Sequence, residues 1–242
     1  QHLAGHVLDL YGFHLDSDSG STEGRYSTLG TRVASKRPRE EDPWDYAAEL
    51  ASQFGSRTSA GRDLDIAAMM FHAEAGHTFR GLPWSPRLGL SYDFASGDGD
   101  PADGDSTTFR TPYTSSHSWY GRQDIIGLSN LHNPRLTLTV EPAKALRLTV
   151  EVNIFRLADT ADYAYGSNGL TPVRRTTPDG SDVRTVGASK NVGQEIDLIA
   201  DYTVSKNITL HAGLSWFFAG SYLSDTGSDD DGAYCYLQAT VK

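Results

Sequence analysis

Strict alternation of apolar and polar residues is the feature that most limits what this chain becomes. From Leu146 to Ile154, Leu146, Leu148, Val150, Val152 and Ile154 fall on one side, and Arg147, Thr149, Glu151 and Asn153 on the other. Side chains of a strand point alternately to its two faces, so this stretch reads as a β-strand with one apolar and one polar face. Arg135 to Glu141 repeats the pattern, with Leu136, Leu138 and Val140 set against Arg135, Thr137, Thr139 and Glu141. Only Pro142-Ala143-Lys144-Ala145 separates the two, which predicts an antiparallel hairpin. A second hairpin is predicted at Glu195–Val204 and Ile208–Phe218, joined by Ser205-Lys206-Asn207. Further strands are expected at Val7–Leu15, Tyr26–Ser35, Trp44–Phe54, Leu64–Phe79, Arg87–Ala95 and Tyr234–Val241, about ten in all. Leu64–Phe79 is ambiguous: Ala, Met, Glu and His favour helix there, while Ile66, Ala68 and Met70 alternate with their neighbours.

No run approaches the ~18 consecutive apolar residues of a membrane helix; the longest is Ile66–Phe71. That leaves the other way across a bilayer open. A β-barrel hides its signal in alternation and reads as hydrophilic on average, as the mean hydropathy of −0.43 does here. The connections favour it over an ordinary soluble sheet. Short joins at Arg80–Trp84, Pro142–Ala145 and Ser205–Asn207 alternate with long polar ones at Gly97–Leu131, Asp159–Val192 and Ser221–Gly232. An outer-membrane barrel sorts its connections in this way, with short periplasmic turns and long outer loops. Trp44, Phe54, Phe79, Trp84, Tyr92, Phe94, Trp119, Tyr120, Trp216, Phe217 and Phe218 fall mainly near predicted strand ends, as interfacial girdles would; aromatic preference for strands is the plainer alternative.

Composition removes other classes. With Lys+Arg of 21 against Asp+Glu of 31, the formal charge of −10 disfavours a nucleic-acid partner. The single cysteine, Cys235, excludes an intrachain disulfide and any CxxC pair, and between Tyr234 and Tyr236 it reads as a buried or lipid-facing small residue. His72 and His77 lie on opposite faces of a strand and do not chelate as a pair. There is no GxSxG, P-loop or dinucleotide fingerprint, so no enzyme is expected. Beginning at Gln1, with neither an initiator Met nor a secretory signal, the sequence reads as a mature chain or a fragment.

Four stretches carry a resemblance. They are Thr28-Leu29-Gly30-Thr31-Arg32 with Trp44-Asp45-Tyr46 and Gln53-Phe54-Gly55; Ala73-Glu74-Ala75-Gly76-His77-Thr78-Phe79 with Pro86-Arg87-Leu88 and Tyr92-Asp93-Phe94-Ala95-Ser96-Gly97-Asp98; Thr108-Phe109, Tyr120-Gly121 and Asn130-Leu131-His132-Asn133; and Val192-Gly193-Gln194-Glu195-Ile196-Asp197 with Phe217-Phe218-Ala219-Gly220 and Tyr234-Cys235-Tyr236-Leu237-Gln238. In order and spacing they resemble the alginate export family of outer-membrane β-barrels of Gram-negative bacteria. The resemblance implies a transmembrane barrel of about eighteen strands, conducting an anionic polysaccharide in the best-known members. Two departures stand out. About ten strands are too few for that number, and Lys242 stands where such barrels usually finish on an aromatic residue. Residues 1–242 are therefore read as a single β-barrel domain forming a C-terminal portion of a longer chain, with a smaller closed barrel as the alternative.

If the apolar faces meet lipid, strand parity turns Arg32, Arg87, Asp93, Arg135, Glu141, Arg147, Glu151, Glu195 and Asp197 into a lumen. Guanidinium groups there would guide uronate carboxylates while the intervening acids keep binding weak enough for release; alternatively these charges pair with one another across strands. Asp98, Asp100, Asp103 and Asp105 on a Gly-rich outer loop invite a calcium reading without the EF-hand spacing, against a solvated loop as the plainer one. With Asp229-Asp230-Asp231 they admit divalent bridging to lipopolysaccharide. No other cofactor is expected. The reading is a passive outer-membrane conduit for an anionic saccharide or related small solute, with a periplasmic export partner where export is its task. An outer-membrane barrel hydrolase and a soluble or adhesive β-sandwich are the alternatives.

Overall fold

The computed structural model describes residues 5–17, 24–35, 42–59, 61–113, 117 and 119–242. Each predicted strand forms. β1 (His6–Ser17), β2 (Gly24–Ser35), β3 (Trp44–Ser59), β4 (Arg62–Thr78) and β5 (Arg87–Ala95) follow one another antiparallel. After the two-residue β6 (Asp105–Ser106), the same sheet continues through β7 (Leu131–Ala143), β8 (Leu146–Leu157), β9 (Asn191–Ser205), β10 (Ile208–Ala219) and β11 (Gly232–Val241). One short helix, α1 (Ser221–Thr226), lies between β10 and β11. The ambiguous 64–79 segment is strand, because pairing on both flanks, Glu49 to His72 and His72 to Asp93, outweighs its helix propensity.

Several strand ends lie beyond the expectation, with β3 running on to Ser59, β8 to Leu157 and β9 starting at Asn191. β7 begins at Leu131 rather than at Arg135. Pro134 has no N–H for the ladder, and pairing with β8 skips from His132–Arg156 to Arg135–Asn153 around it. β4 outruns β5, which stops at Ala95 opposite Met70. The bare edge of β4 is closed from the loop: Asp65 and Ile66 pair with β6, and the Met69 amide donates to Ser96 Oγ at 3.0 Å.

Burial is inverted relative to a soluble sheet. Polar residues of one face are enclosed, with Asn133, Asn153, Glu195 and Asp197 at 0% exposure. Apolar residues of the other face are open, with Leu90 at 62%, Leu136 at 46%, Leu198 at 41% and Leu214 at 48%. An apolar face this continuous and this bare fits contact with acyl chains, since a soluble protein would cover it with a second layer. Apart from the two-residue β6, strands from nine residues (β5) to seventeen (β4) meet the ~9–11 residues that a tilted membrane strand requires.

Aromatic residues mark both rims of the bare face. Trp44, Phe79 and Trp84 stand at the short-turn end, where the His77 ring contacts Trp44 and Phe79 at 4.5 Å. Tyr92, Trp216 and Phe218 stand toward the long-loop end, and Tyr92 Oη bonds His132 Nδ1 at 2.5 Å. Three residues assigned to girdles from the sequence lie elsewhere. Phe217 points to the enclosed face at 3% exposure, and Trp119 and Tyr120 belong to a loop folded over that face.

The long connections after β5, β8 and β10 all leave from one end and pack together over the enclosed face. Their core joins Phe109, Ile126 and Leu128 of the first loop to Ala164 and Ala188 of the second and Tyr222 and Leu223 of α1, on Phe155, Val192 and Phe217 of the strands. Asn130, fully buried with φ of 49°, stitches the first two loops: its Nδ2 donates to the carbonyls of Asp159 (2.8 Å) and Tyr163 (3.0 Å), and its Oδ1 accepts from the Asp159 amide (2.7 Å). β1 and β11 are the two ends of the strand order, and no pairing joins them among the described residues.

Candidate functional site

The enclosed, inner face carries the charged chemistry, ordered by register. Asp9, Arg32, Glu49, His72 and Asp93 form one cross-strand row over β1–β5. Thr137, Glu151, Asp197 and Ser215 form another over β7–β10. In the first row acid and base meet across neighbouring strands, where side chains come close enough to pair, while the second sets two acids, Glu151 and Asp197, side by side.

The arginines read from the sequence are engaged within the chain. Arg87 grips Asp45 in a bidentate pair, Nε to Oδ2 at 2.8 Å and Nη2 to Oδ1 at 2.5 Å. Its guanidinium lies across Gly76 and Gly89, where any Cβ would collide with it. Arg32 reaches Asp9 at 3.3 Å. Arg135 donates to Ser91 Oγ (3.1 Å) and the Trp119 carbonyl (3.3 Å), with its guanidinium carbon 5.6 Å from the Trp119 ring centre. Arg147 pairs with Glu141 at 2.8 Å beside the β7–β8 turn, and both are exposed there, apart from the other charged residues named from the sequence. The Asp93 carboxylate meets His72 Nδ1 at 2.7 Å.

Glu151, Glu195 and Asp197 come together under the loop that follows β5. Glu195 Oε1 accepts from the amides of Arg122 and Gln123 (3.1 Å for the latter) and from Ser215 Oγ (3.1 Å), and Arg122 Nη2 lies 3.6 Å from Glu151 Oε2. The approach is only open to glycine at position 121. Its φ is +85°, and a Cβ there would stand 2.6 Å from the Glu195 carboxylate. Asp197 is fully buried between Glu151 and Ser215.

The acidic outer loop uses its carboxylates on its own backbone. Asp98 accepts from the Asp100 amide (3.3 Å), Asp100 from Ala102 (3.1 Å) and Asp103 from Asp105 (2.8 Å), the pattern of Asx turns. Among the described residues no three His, Cys, Asp or Glu side chains converge as an ion would need. Burial, followed by the nearby Asp162 charge, pushes the Asp98 carboxyl up to about 6. Asp162 is the hub here: it accepts from the Asp98 amide (3.1 Å), Thr108 Oγ1 (2.5 Å) and Tyr165 Oη (2.8 Å). Deeper in the second loop, Arg184 holds Asp182 down to about 2.

Several inner-face residues escape the reading from sequence. Asp45, Glu49 and Glu74 share the parity of the polar face on β3 and β4 and were accessible to the same argument. Trp119, Arg122 and Asp162 sit on loops, where no periodicity tells which side chains return to the sheet. Cys235 on β11 is exposed and opposite Leu214, on the bare face rather than in the interior.

Solved structures similar to this chain include an outer-membrane protein and a porin. The outer-membrane expressed OmpT of Vibrio cholerae shows 11% identity and a TM-score of 0.41 over 89% of this chain and 56% of that one, so this chain spans little more than half its length. A NanC porin shows 11% identity and a TM-score of 0.42 over 99% of this chain and 94% of that one. No curated protein matches the sequence. The profile of the alginate export family matches residues 1–235, and so runs from the first strand into the last. Agreement along the whole sheet, with polar groups turned in and apolar groups turned out, means that the chain belongs to the alginate export family, in the bacterial outer membrane.

Proposed function

We propose that the protein is a passive outer-membrane conduit for a hydrophilic, saccharide-class solute. The observation that carries this reading is the inversion of the sheet, with an apolar face suited to lipid and a charged face turned away from it. Residues 1–242 act as one domain, the wall of a barrel in which the edges of β1 and β11 are paired, since hydrocarbon tolerates no open edge. The family name supports a saccharide. Guidance of a uronate by arginine requires guanidinium groups free to turn toward it, whereas Arg32, Arg87 and Arg147 are each held by a carboxylate of the chain. The saccharide class is therefore assigned without a requirement for negative charge. Reconstituted full-length protein is expected to swell liposomes in small sugars and to pass ions in steps across a planar bilayer, without chemical change to the solute. Tight liposomes and silent bilayers at a protein content confirmed by electrophoresis would overturn the reading.

A further inference from the structure

Between the inner face of β1–β5 and the loop that follows β5 lies a recess of about 500 Å³. One side is aromatic, from Tyr11 on β1 and Phe109, Trp119 and Tyr120 on the loop; the other carries charge, from Glu49 on β3 and Asp93 on β5 beside Arg32 on β2 and His72 on β4. Asp93 is 2% exposed and its Oδ1 bonds His72, while its buried Oδ2 has no hydrogen-bond partner among the described residues. A carboxylate oxygen enclosed without a donor is costly to keep, so its place in a recess points to a donor brought from outside.

The charges around the recess favour a cation as that donor. Among the described residues Glu49 accepts only the Tyr11 hydroxyl, at 2.5 Å. Arg32 stands opposite Glu49 in register but turns to Asp9. Arg135 is spent on Ser91 and on the Trp119 carbonyl and ring. Glu74, two residues from His72 on the same face of β4, adds a further carboxylate, and among the described residues no cation reaches bridging distance of Glu49 or Glu74. Among the described residues the basic side chains lining the recess are His72, bonded to Asp93, and Arg32, bonded to Asp9. Aromatic faces beside Glu49, a carboxylate that no described cation bridges, attract an organic cation through the ring quadrupole and through charge.

We propose that this recess is a subsite for the cationic group of a small organic solute, an alkylammonium or guanidinium, seated against Trp119 and Tyr120 and held by Glu49 and Asp93. The proposal rests on the conduit reading for its purpose but is tested by binding, which does not depend on flux. Full-length protein in detergent micelles is titrated with benzylammonium by calorimetry, with maltotriose and glucuronate as competing probes. Expected is saturable binding of the ammonium, weakened about tenfold or more in Glu49→Gln and in Asp93→Asn and recovered in Glu49→Asp, with neither sugar binding as tightly. Each variant's fold is checked by heat-modifiable migration. Equal affinity in the wild type and in a folded Glu49→Gln protein, or tighter binding of maltotriose or glucuronate, would overturn the proposal. Binding without conductance would instead remove the conduit reading and leave the subsite standing.

Discussion

Arg87 shows how a single residue settles the character of the inner face. Its guanidinium closes on Asp45 only because positions 76 and 89 carry no Cβ: one at Gly76 would stand 2.1 Å from Nη2, and one at Gly89 2.7 Å from Nη1. Gly76→Ala should therefore destabilise the folded protein by about 1–3 kcal/mol, read as a lowered urea midpoint in vesicles. Arg87→Met should cost about 3–5 kcal/mol, because it strips a buried carboxylate of its guanidinium. Equal midpoints for wild type and Gly76→Ala would mean that the pair is not packed as described. Asp98 gives a pH dependence of known sign. Its carboxyl titrates near 6 in the fold, raised by burial and then by Asp162, against an ordinary value of 3.8. Between those values the folded loop binds more protons than the unfolded one, so its stability falls as pH rises through about 6. Asp98→Asn should slow proteolysis of the outer loops at pH 7.5 and leave it unchanged at pH 4; a difference of the same size at both pH values would refute the assignment.

At the scale of elements, the strands were legible and the loops were not. Period-two patterning located β8 and β10 because each has one face in an apolar and one in a polar surrounding, the physical condition that writes alternation into sequence. Side chains such as Trp119 and Arg122 leave no such trace, since an irregular segment obeys no period and its contacts form only once the sheet exists. Pairing of the arginines was open for a related reason. The parity of Arg32 puts it on the inner face, but its partner Asp9 follows from register. The loops cohere through few bonds. Asn130→Ala removes three hydrogen bonds that tie the loop after β5 to the loop after β8 and leaves their carbonyls and amide buried. At about 1–3 kcal/mol for each enclosed group left unpaired, the variant should keep its sheet while both loops become open to trypsin. Unchanged loop protection would show that the apolar cluster of Phe109, Ile126 and Tyr222 suffices without it.

For the whole molecule, everything turns on which face of the sheet meets lipid. β10 gives the most direct reading, since Leu214, Trp216 and Phe218 stand on its bare face and Ser215 and Phe217 on its enclosed one. Nitroxides placed singly at positions 214 to 218 of the full-length protein, in a Cys235→Ser background and in liposomes, report collisions with oxygen, which concentrates in acyl chains, and with a water-soluble nickel chelate. High oxygen accessibility at 214, 216 and 218, alternating with low values at 215 and 217, is the predicted result. A profile without alternation, or one in which the nickel chelate reaches 214, 216 and 218 best, would contradict the membrane-facing sheet.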